Sequence, residues 1–159
     1  MSDKEEKIIN AYKSTVYGIA LSHMGSKFEA DDVFQEVFLA YFRIPRIFTS
    51  EEHRKAWFIK TTLNQCKKQY REKMKSGAPL YDGIEDDGFR FEIDGENEIY
   101  AALKKLPEKY RTVIYLYYFE ELSCKRIAKI TKTSEGTVRV QLNRGRNLMK
   151  KYLKGENDE

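Results

Sequence analysis

Apolar and polar positions along the chain alternate with the period of helices, and the first such stretch runs from Lys4 to Met24. Ile8, Tyr12, Val16, Ile19, Ala20 and His23 recur there at three- and four-residue steps, which predicts one apolar stripe. From Asp31 to Arg43 the pairs Val33-Phe34, Val37-Phe38 and Tyr41-Phe42 repeat every four residues and predict a core-facing side. Asp32, Gln35, Glu36, Leu39 and Arg43 fall on the opposite side. Ile44-Pro45 ends this helix, because a residue before proline is pushed out of the α region. Thr49-Ser50-Glu51-Glu52 reads as a Thr-x-x-Glu capping box that opens a helix reaching about Lys75. Its expected buried stripe is Ala56, Ile59, Leu63, Cys66 and Tyr70.

After residue 75 the periodicity fails. Ser76-Gly77-Ala78-Pro79 and the run from Tyr81 to Gly95 hold four of the nine glycines, so residues 76–97 are expected to be a linker. Helical signals return at Glu98 to Lys105, and Pro107 suits the first turn of a further helix. Tyr110 to Phe119 is dense enough in apolar groups to be the centre of a small core. Ser123 is placed to cap Cys124 to Ile130, and Ser134 to cap a last helix reaching about Lys154. Val138, Leu142, Gly145, Met149 and Tyr152 face inward on that helix. The fold class expected is all-α: two small helical domains, 1–75 and 98–155, with a linker between them and a short tail at 156–159.

Charge sharpens this division. Residues 1–75 hold 14 Lys+Arg against 10 Asp+Glu, 76–98 hold 1 against 8, and 99–155 hold 14 against 4. A compact basic segment suits a phosphate-binding surface, since each neutralised phosphate releases condensed counterions. Cys66 and Cys124 lie far apart without a CxxC, and His23 and His53 have no spaced partners. No metal, cofactor or catalytic site is therefore expected. No apolar run approaches the ~18 residues of a membrane span and the N-terminus is no secretory signal, so the expected location is the cytoplasm, without membrane insertion.

Two faces carry candidate chemistry. Trp57, Lys60, Asn64, Lys67, Lys68, Arg71 and Lys75 share one side of the third helix, combining an aromatic, an amide and a ladder of cations. Such a face can hold a phosphate backbone while a ring or amide meets a base; it reads equally as a solvated face with Trp57 half-buried. At the C-terminal end, a short helix, a tight turn and a helix bearing Arg139, Val140, Asn143, Arg144, Arg146 and Lys150 outward form a helix-turn-helix pattern. The second helix of such a pair fits the major groove, where Arg reaches guanine O6 and N7.

These phrases resemble the bacterial RNA polymerase sigma factors of the extracytoplasmic-function class. The second module is similar to sigma region 4 in Leu103-Lys104-Lys105-Leu106-Pro107, Arg111-Thr112-Val113-Ile114, Leu122-Ser123 with Ile127-Ala128, Ser134-Glu135-Gly136-Thr137-Val138-Arg139, and Arg144-Gly145-Arg146. The first is similar to region 2, in Ala30-Asp31-Asp32-Val33-Phe34-Gln35-Glu36-Val37-Phe38 and in Ala56-Trp57 through Asn64.

The resemblance implies a non-enzymatic, dissociable initiation factor. By that likeness Asp32, Gln35, Glu36 and Leu39 meet the clamp helices of the polymerase β′ subunit. Trp57, Lys60, Asn64, Lys67, Lys68 and Arg71, with the loop from Ile44 to His53, take the −10 promoter element. Ser134, Gly136, Thr137, Arg139, Val140, Asn143 and Arg144 take the −35 element. Core RNA polymerase (β′ clamp helices and β flap), promoter DNA and an anti-sigma factor are the implied partners. Rival readings are a stand-alone helix-turn-helix regulator, for which no dimerisation heptad is visible, and a sigma-like regulator that binds polymerase alone. Arg126 stands where the family often has an acid. Gly145 replaces a usual alanine, which costs about 1 kcal/mol of helix propensity unless a close contact needs it. Cys66 and Cys124 are expected to serve packing.

Overall fold

The computed structural model describes residues 2–77 and 94–155, which form seven helices in two compact units. Most of the stretch expected as a linker, and the acidic tail, lie outside the described residues. No described helix is long and apolar enough to cross a membrane.

The first unit packs α1 (Asp3–His23), α2 (Lys27–Arg43) and α3 (Glu51–Lys75) against one another. Ser2 caps α1 in a full capping box with Glu5, and Ser26 caps α2 through the Glu29 amide. The α2 helix thus starts four residues before Asp31, so Lys27 and Phe28 belong to it. Ile44, in extended conformation before Pro45, ends it as expected.

The cap of α3 is Ser50 rather than Thr49: its hydroxyl accepts from the His53 amide at 3.0 Å. His53 Nδ1 accepts from the Thr49 amide at 3.2 Å, so His53 takes the reaching-back role expected of Glu52. Both serine and threonine can cap; the hydroxyl placed at the start of this helix is that of Ser50.

Phe58 is the hub of this core, fully buried, with Tyr12 and Tyr41 stacked on it at 4.5 and 4.9 Å and Phe38 tilted against it at 5.3 Å. Ile59, Leu63 and Cys66 are buried as expected, but Phe58 and Thr62 replace Ala56 and Tyr70 in the stripe. Tyr70 is exposed, and Ala56 is half-buried. Because α3 packs against both α1 and α2, its buried side is wider and turned relative to a single apolar line. The Thr62 hydroxyl enters the core at no polar cost, donating to the Phe58 carbonyl at 2.6 Å. Along α2, Val33, Val37 and Phe38 are buried, Phe34 and Tyr41 half-buried and Phe42 exposed.

The second unit holds α4 (Asp94–Lys105), α5 (Glu108–Tyr118), α6 (Cys124–Thr131) and α7 (Glu135–Leu153). The α4 helix starts at Asp94 rather than Glu98, and Pro107 stands just before α5 rather than within its first turn. Arg111 joins these helices: Nε donates to Leu103 O at 3.1 Å and Nη2 to Leu106 O at 2.8 Å, covering carbonyls at the end of α4. Leu103, Leu106, Val113, Leu116, Ile127 and Val138 form the centre, while Tyr117 and Tyr118 at the end of α5 are exposed.

Ser123 and Ser134 cap α6 and α7 as expected, and Lys132 makes the turn between them in the left-handed region at φ 59°. Val138, Leu142, Gly145 and Met149 are buried on α7, and Tyr152 is half-buried. A Cβ on Gly145 would lie 2.8 Å from Ile114 Cγ1, so glycine is required where α5 and α7 cross closely.

Candidate nucleic-acid interface

The face of α7 opposite its buried side carries Gly136, Thr137, Arg139, Val140, Asn143 and Arg144, all exposed, with Val140 at 48%. Asn147 is exposed on the same face, one turn beyond Asn143; it is a polar residue of the right periodicity that the reading of motifs passed over. Glu135 holds Arg139 in an exposed i, i+4 ion pair at 3.1 Å, which any base contact by that guanidinium has to share or replace.

At the N-terminus of α7 the Ser134 hydroxyl accepts from the Thr137 amide at 3.1 Å and donates to Thr137 Oγ1 at 2.9 Å. Ser134 is therefore occupied in capping. The outward donors left at this end are the Thr137 hydroxyl and the first amides of the helix. Gly136 has open space beside it: a Cβ there would meet nothing closer than Ser134 Oγ at 3.9 Å. Unlike Gly145, it is not demanded by the packing of its own unit.

On α3, Lys60, Asn64, Lys67, Lys68 and Arg71 are exposed, at steps that keep them on one side. Trp57, at the head of this row, is half-buried and in ring contact with Tyr41 (5.6 Å), Phe48 (6.4 Å) and Phe58 (5.1 Å). Trp57 thus leans on the core, as the reading of a half-buried residue expects, and stands at the head of the cationic row. Lys68 stands at the border, lining a polar groove between α2 and α3 with Asp32, Gln35 and Glu36.

On the outer face of α2, Asp32, Gln35, Glu36 and Leu39 are exposed, Leu39 at 51%. Phe28, 64% exposed, stands in the same row, four residues before Asp32. It escaped the sequence reading because α2 was expected to begin at Asp31; the Ser26 cap, visible as Ser-x-x-Glu, was the available signal. Asp31 is engaged otherwise, accepting from the Tyr17 hydroxyl at 2.8 Å and pairing with Lys27 at 3.1 Å.

The α1 side of the unit also reaches the first turn of α3. Tyr12 donates its hydroxyl hydrogen to Glu51, which is paired with Arg54. Burial, and secondarily this bond, push the Tyr12 pKa up to about 12, while the Tyr12 bond holds the exposed Glu51 carboxyl below the usual range. Among the described residues no cluster of His, Cys, Asp and Glu is placed to hold a metal.

Comparison with known proteins places this geometry in context. Residues 8–76 match the family described as Sigma-70 region 2, and residues 96–149 that described as Sigma-70, region 4. The chain is 31% identical to the ECF RNA polymerase sigma factor SigW of Bacillus subtilis, over 92% of this chain and 87% of that protein. It is 28% identical to SigM of the same organism, over 97% of this chain and 98% of that one. Among solved structures, it resembles the sigma factor RpoE in complex with the anti-sigma factor NepR from Bartonella quintana, with TM-score 0.74 and 19% identity over 98% of this chain and 100% of that one. It also resembles CnrH in complex with the cytosolic domain of CnrY, with TM-score 0.66 and 21% identity over 96% and 89%. These two structural likenesses are of fold.

Proposed function

The chain belongs to the sigma-70 family of RNA polymerase sigma factors, in its extracytoplasmic-function class, and on that premise we propose how its two units divide the work of promoter recognition. As a sigma factor it is a dissociable, non-enzymatic subunit that directs core RNA polymerase to promoters; RNA synthesis is the chemistry of the polymerase. In our reading the first unit, residues 1–75, docks on the clamp helices of β′ through Asp32, Gln35, Glu36 and Leu39. Exposed Leu39 and Phe28 among carboxylates have the composition of a small apolar hot spot with a polar rim, which supports that assignment.

The opposite work falls to α3. Trp57, Lys60, Asn64, Lys67, Lys68 and Arg71, with the loop before them, hold the opened −10 element. Opening a duplex costs on the order of 1.4 kcal/mol per base-pair step, and a protein without ATP chemistry recovers this by capturing one strand. The second unit, residues 98–155, lays α7 in the major groove of the −35 element. Arg139, Val140, Asn143 and Arg144 meet base edges there, Gly136 and Thr137 meet phosphate at the helix N-terminus, and Ser134 holds that terminus in shape. The unit also docks at the β flap. Residues 76–97, whose acid suits a channel built for RNA, connect the two, and the work is cytoplasmic. The sigma factor RpoE was captured with the anti-sigma factor NepR; a protein of that kind that masks the α2 face is the regulator we expect here. No cofactor enters this reading.

The observation that carries the reading is the division of one three-helix unit into an acidic, leucine-bearing face on α2 and a cationic face on α3. The test is a titration of labelled protein with sigma-free core polymerase, followed by transcription from a pooled promoter library. Tight binding with new transcripts supports it, and the library supplies the −10 and −35 sequences. Binding to duplex DNA alone, without polymerase, would return the chain to the stand-alone regulators.

A further inference from the structure

The loop between α2 and α3 holds one apolar side chain out in solvent and pins both of its neighbours. Ile47 is 94% exposed, more than any other large hydrophobic among the described residues. On one side of it, the Arg46 guanidinium lies 4.4 Å from the centre of the Trp57 ring and donates to the carbonyls of Ala40 (3.0 Å) and Ile44 (3.2 Å). On the other side, the Phe48 ring is parallel to Tyr41 at 6.2 Å and meets His53 edge-on at 5.1 Å. Pro45 adds a fixed φ two residues earlier. An isolated exposed apolar residue is ordinary. Here, however, an aromatic cluster that could shelter Ile47 lies beside it, and the anchoring of Arg46 and Phe48 keeps it from folding back.

What could cover this tip is limited by its surroundings. Arg43, Arg46 and Arg54 lie in or beside the loop, and Lys60, Asn64, Lys67 and Arg71 continue along α3. The occupant is therefore anionic outside and apolar within, and a stack of bases between phosphate backbones has that character. Apolar side chains, isoleucine among them, serve as wedges between base steps in proteins that kink DNA. We propose that Ile47 is a wedge that enters the base stack at the edge of the opening −10 segment, with Arg46 and Phe48 as its abutments. The inference rests on the assignment of this loop and α3 to the −10 element.

The experiment uses holoenzyme assembled from core polymerase and the full chain, on a promoter taken from the pooled library, in fully duplex form and with the −10 segment premelted. Opening is followed by permanganate reactivity of the −10 thymines. With Ile47→Ser, opening of the duplex promoter is expected to slow by about tenfold, a larger loss than any in binding of the premelted promoter or the isolated non-template −10 strand. Ile47→Leu is expected to restore most of the duplex rate. Equal losses on duplex and premelted templates would overturn the wedge in favour of a base contact. No loss on either would leave Ile47 a solvent residue, and weaker binding to core polymerase would make it a protein contact. Lys60→Ala and Asn64→Ala separate this from the parent reading. If they leave single-strand binding unchanged, the −10 assignment itself fails; if they weaken it while Ile47→Ser changes nothing, the wedge alone falls.

Discussion

The basic faces of α3 and α7 are built differently, and the uses proposed for them differ in the same way. On α7 every outward candidate stands clear of the core, while Val138, Leu142, Gly145 and Met149 hold the back of the helix. Reading a groove in intact duplex asks that donors and acceptors be kept in register on a rigid rod, and helix periodicity supplies that. On α3 the cationic row ends at Trp57, which is half-buried among Tyr41, Phe48 and Phe58 and covered by Arg46. Holding opened strands asks for surfaces that stack on bases, and rings left bare in water would collapse on one another. The aromatic end of α3 is therefore kept in part inside the packing of its own unit. The face of α7 is a property of one helix, whereas that of α3 exists only with the loop, α1 and α2 around it.

The largest way to break this contrast is to empty the hub behind α3. Phe58→Ala is expected to cost about 3–5 kcal/mol, read as a lowered urea midpoint in tryptophan fluorescence. Trp57 is the sole tryptophan, so the signal reports the first unit. A loss below ~1 kcal/mol, within the range of ordinary substitutions, would mean that the ring cluster does not organise this unit.

The two glycines of α7 sharpen the comparison. Gly145→Ala drives a Cβ to 2.8 Å from Ile114 Cγ1, on a stiff β-branched side chain. It is expected to destabilise by about 1–3 kcal/mol, more than the helix propensity it gains, and helix circular dichroism on urea titration measures this. Gly136→Ala meets open space, so stability is expected to hold or rise while affinity for −35 duplex falls. A Gly136→Ala protein with full −35 affinity would remove the phosphate role of that helix end.

Next are the contact residues. Arg144→Ala or Arg139→Ala is expected to cost ~1–3 kcal/mol at the −35 element and to relax specificity there; a uniform loss across sequences would demote them to phosphate contacts. Asp32→Ala, Glu36→Ala or Phe28→Ser should instead weaken polymerase binding whatever the promoter, and unchanged core affinity would remove that residue from the docking face.

The smallest effect separates the units by pH. Tyr12 is raised from 10.0 to about 12, chiefly by burial, and burial raises Tyr17 as well, aided by its bond to Asp31. Neutral tyrosine is the form the folded unit favours. Its contribution is whole below pH 10 and is lost as pH climbs from 10 through 12. Urea titrations followed by Trp57 fluorescence should show the first unit weakening over that range, and Tyr12→Phe should flatten the dependence. An unchanged slope in the variant would assign the loss to another group.

Legibility differed between the units for a local reason. In the second, Ser123 and Ser134 stand one residue before α6 and α7, so caps, periodicity and charge agree on the boundaries and faces of those two helices. In the first, the cap of α3 fell on Ser50 and that of α2 on Ser26, so Phe28 was left off the outer face of α2. The charge of each face was readable because charged side chains stay in water wherever the helix packs.

By itself, the sequence determined the helices, the proline that ends α2, the acidic and cationic faces, and the membership they imply, since these depend on residues within a few positions of each other. Tertiary structure alone decided that Phe58 rather than Ala56 or Tyr70 fills the centre, that Arg46 covers Trp57 and leaves Ile47 outside, and that Gly145 is the point where α5 touches α7. Helical period tells which residues share a side. How wide a side is buried, and which residue stands opposite, depends on the neighbours that pack there, and those come from elsewhere in the chain.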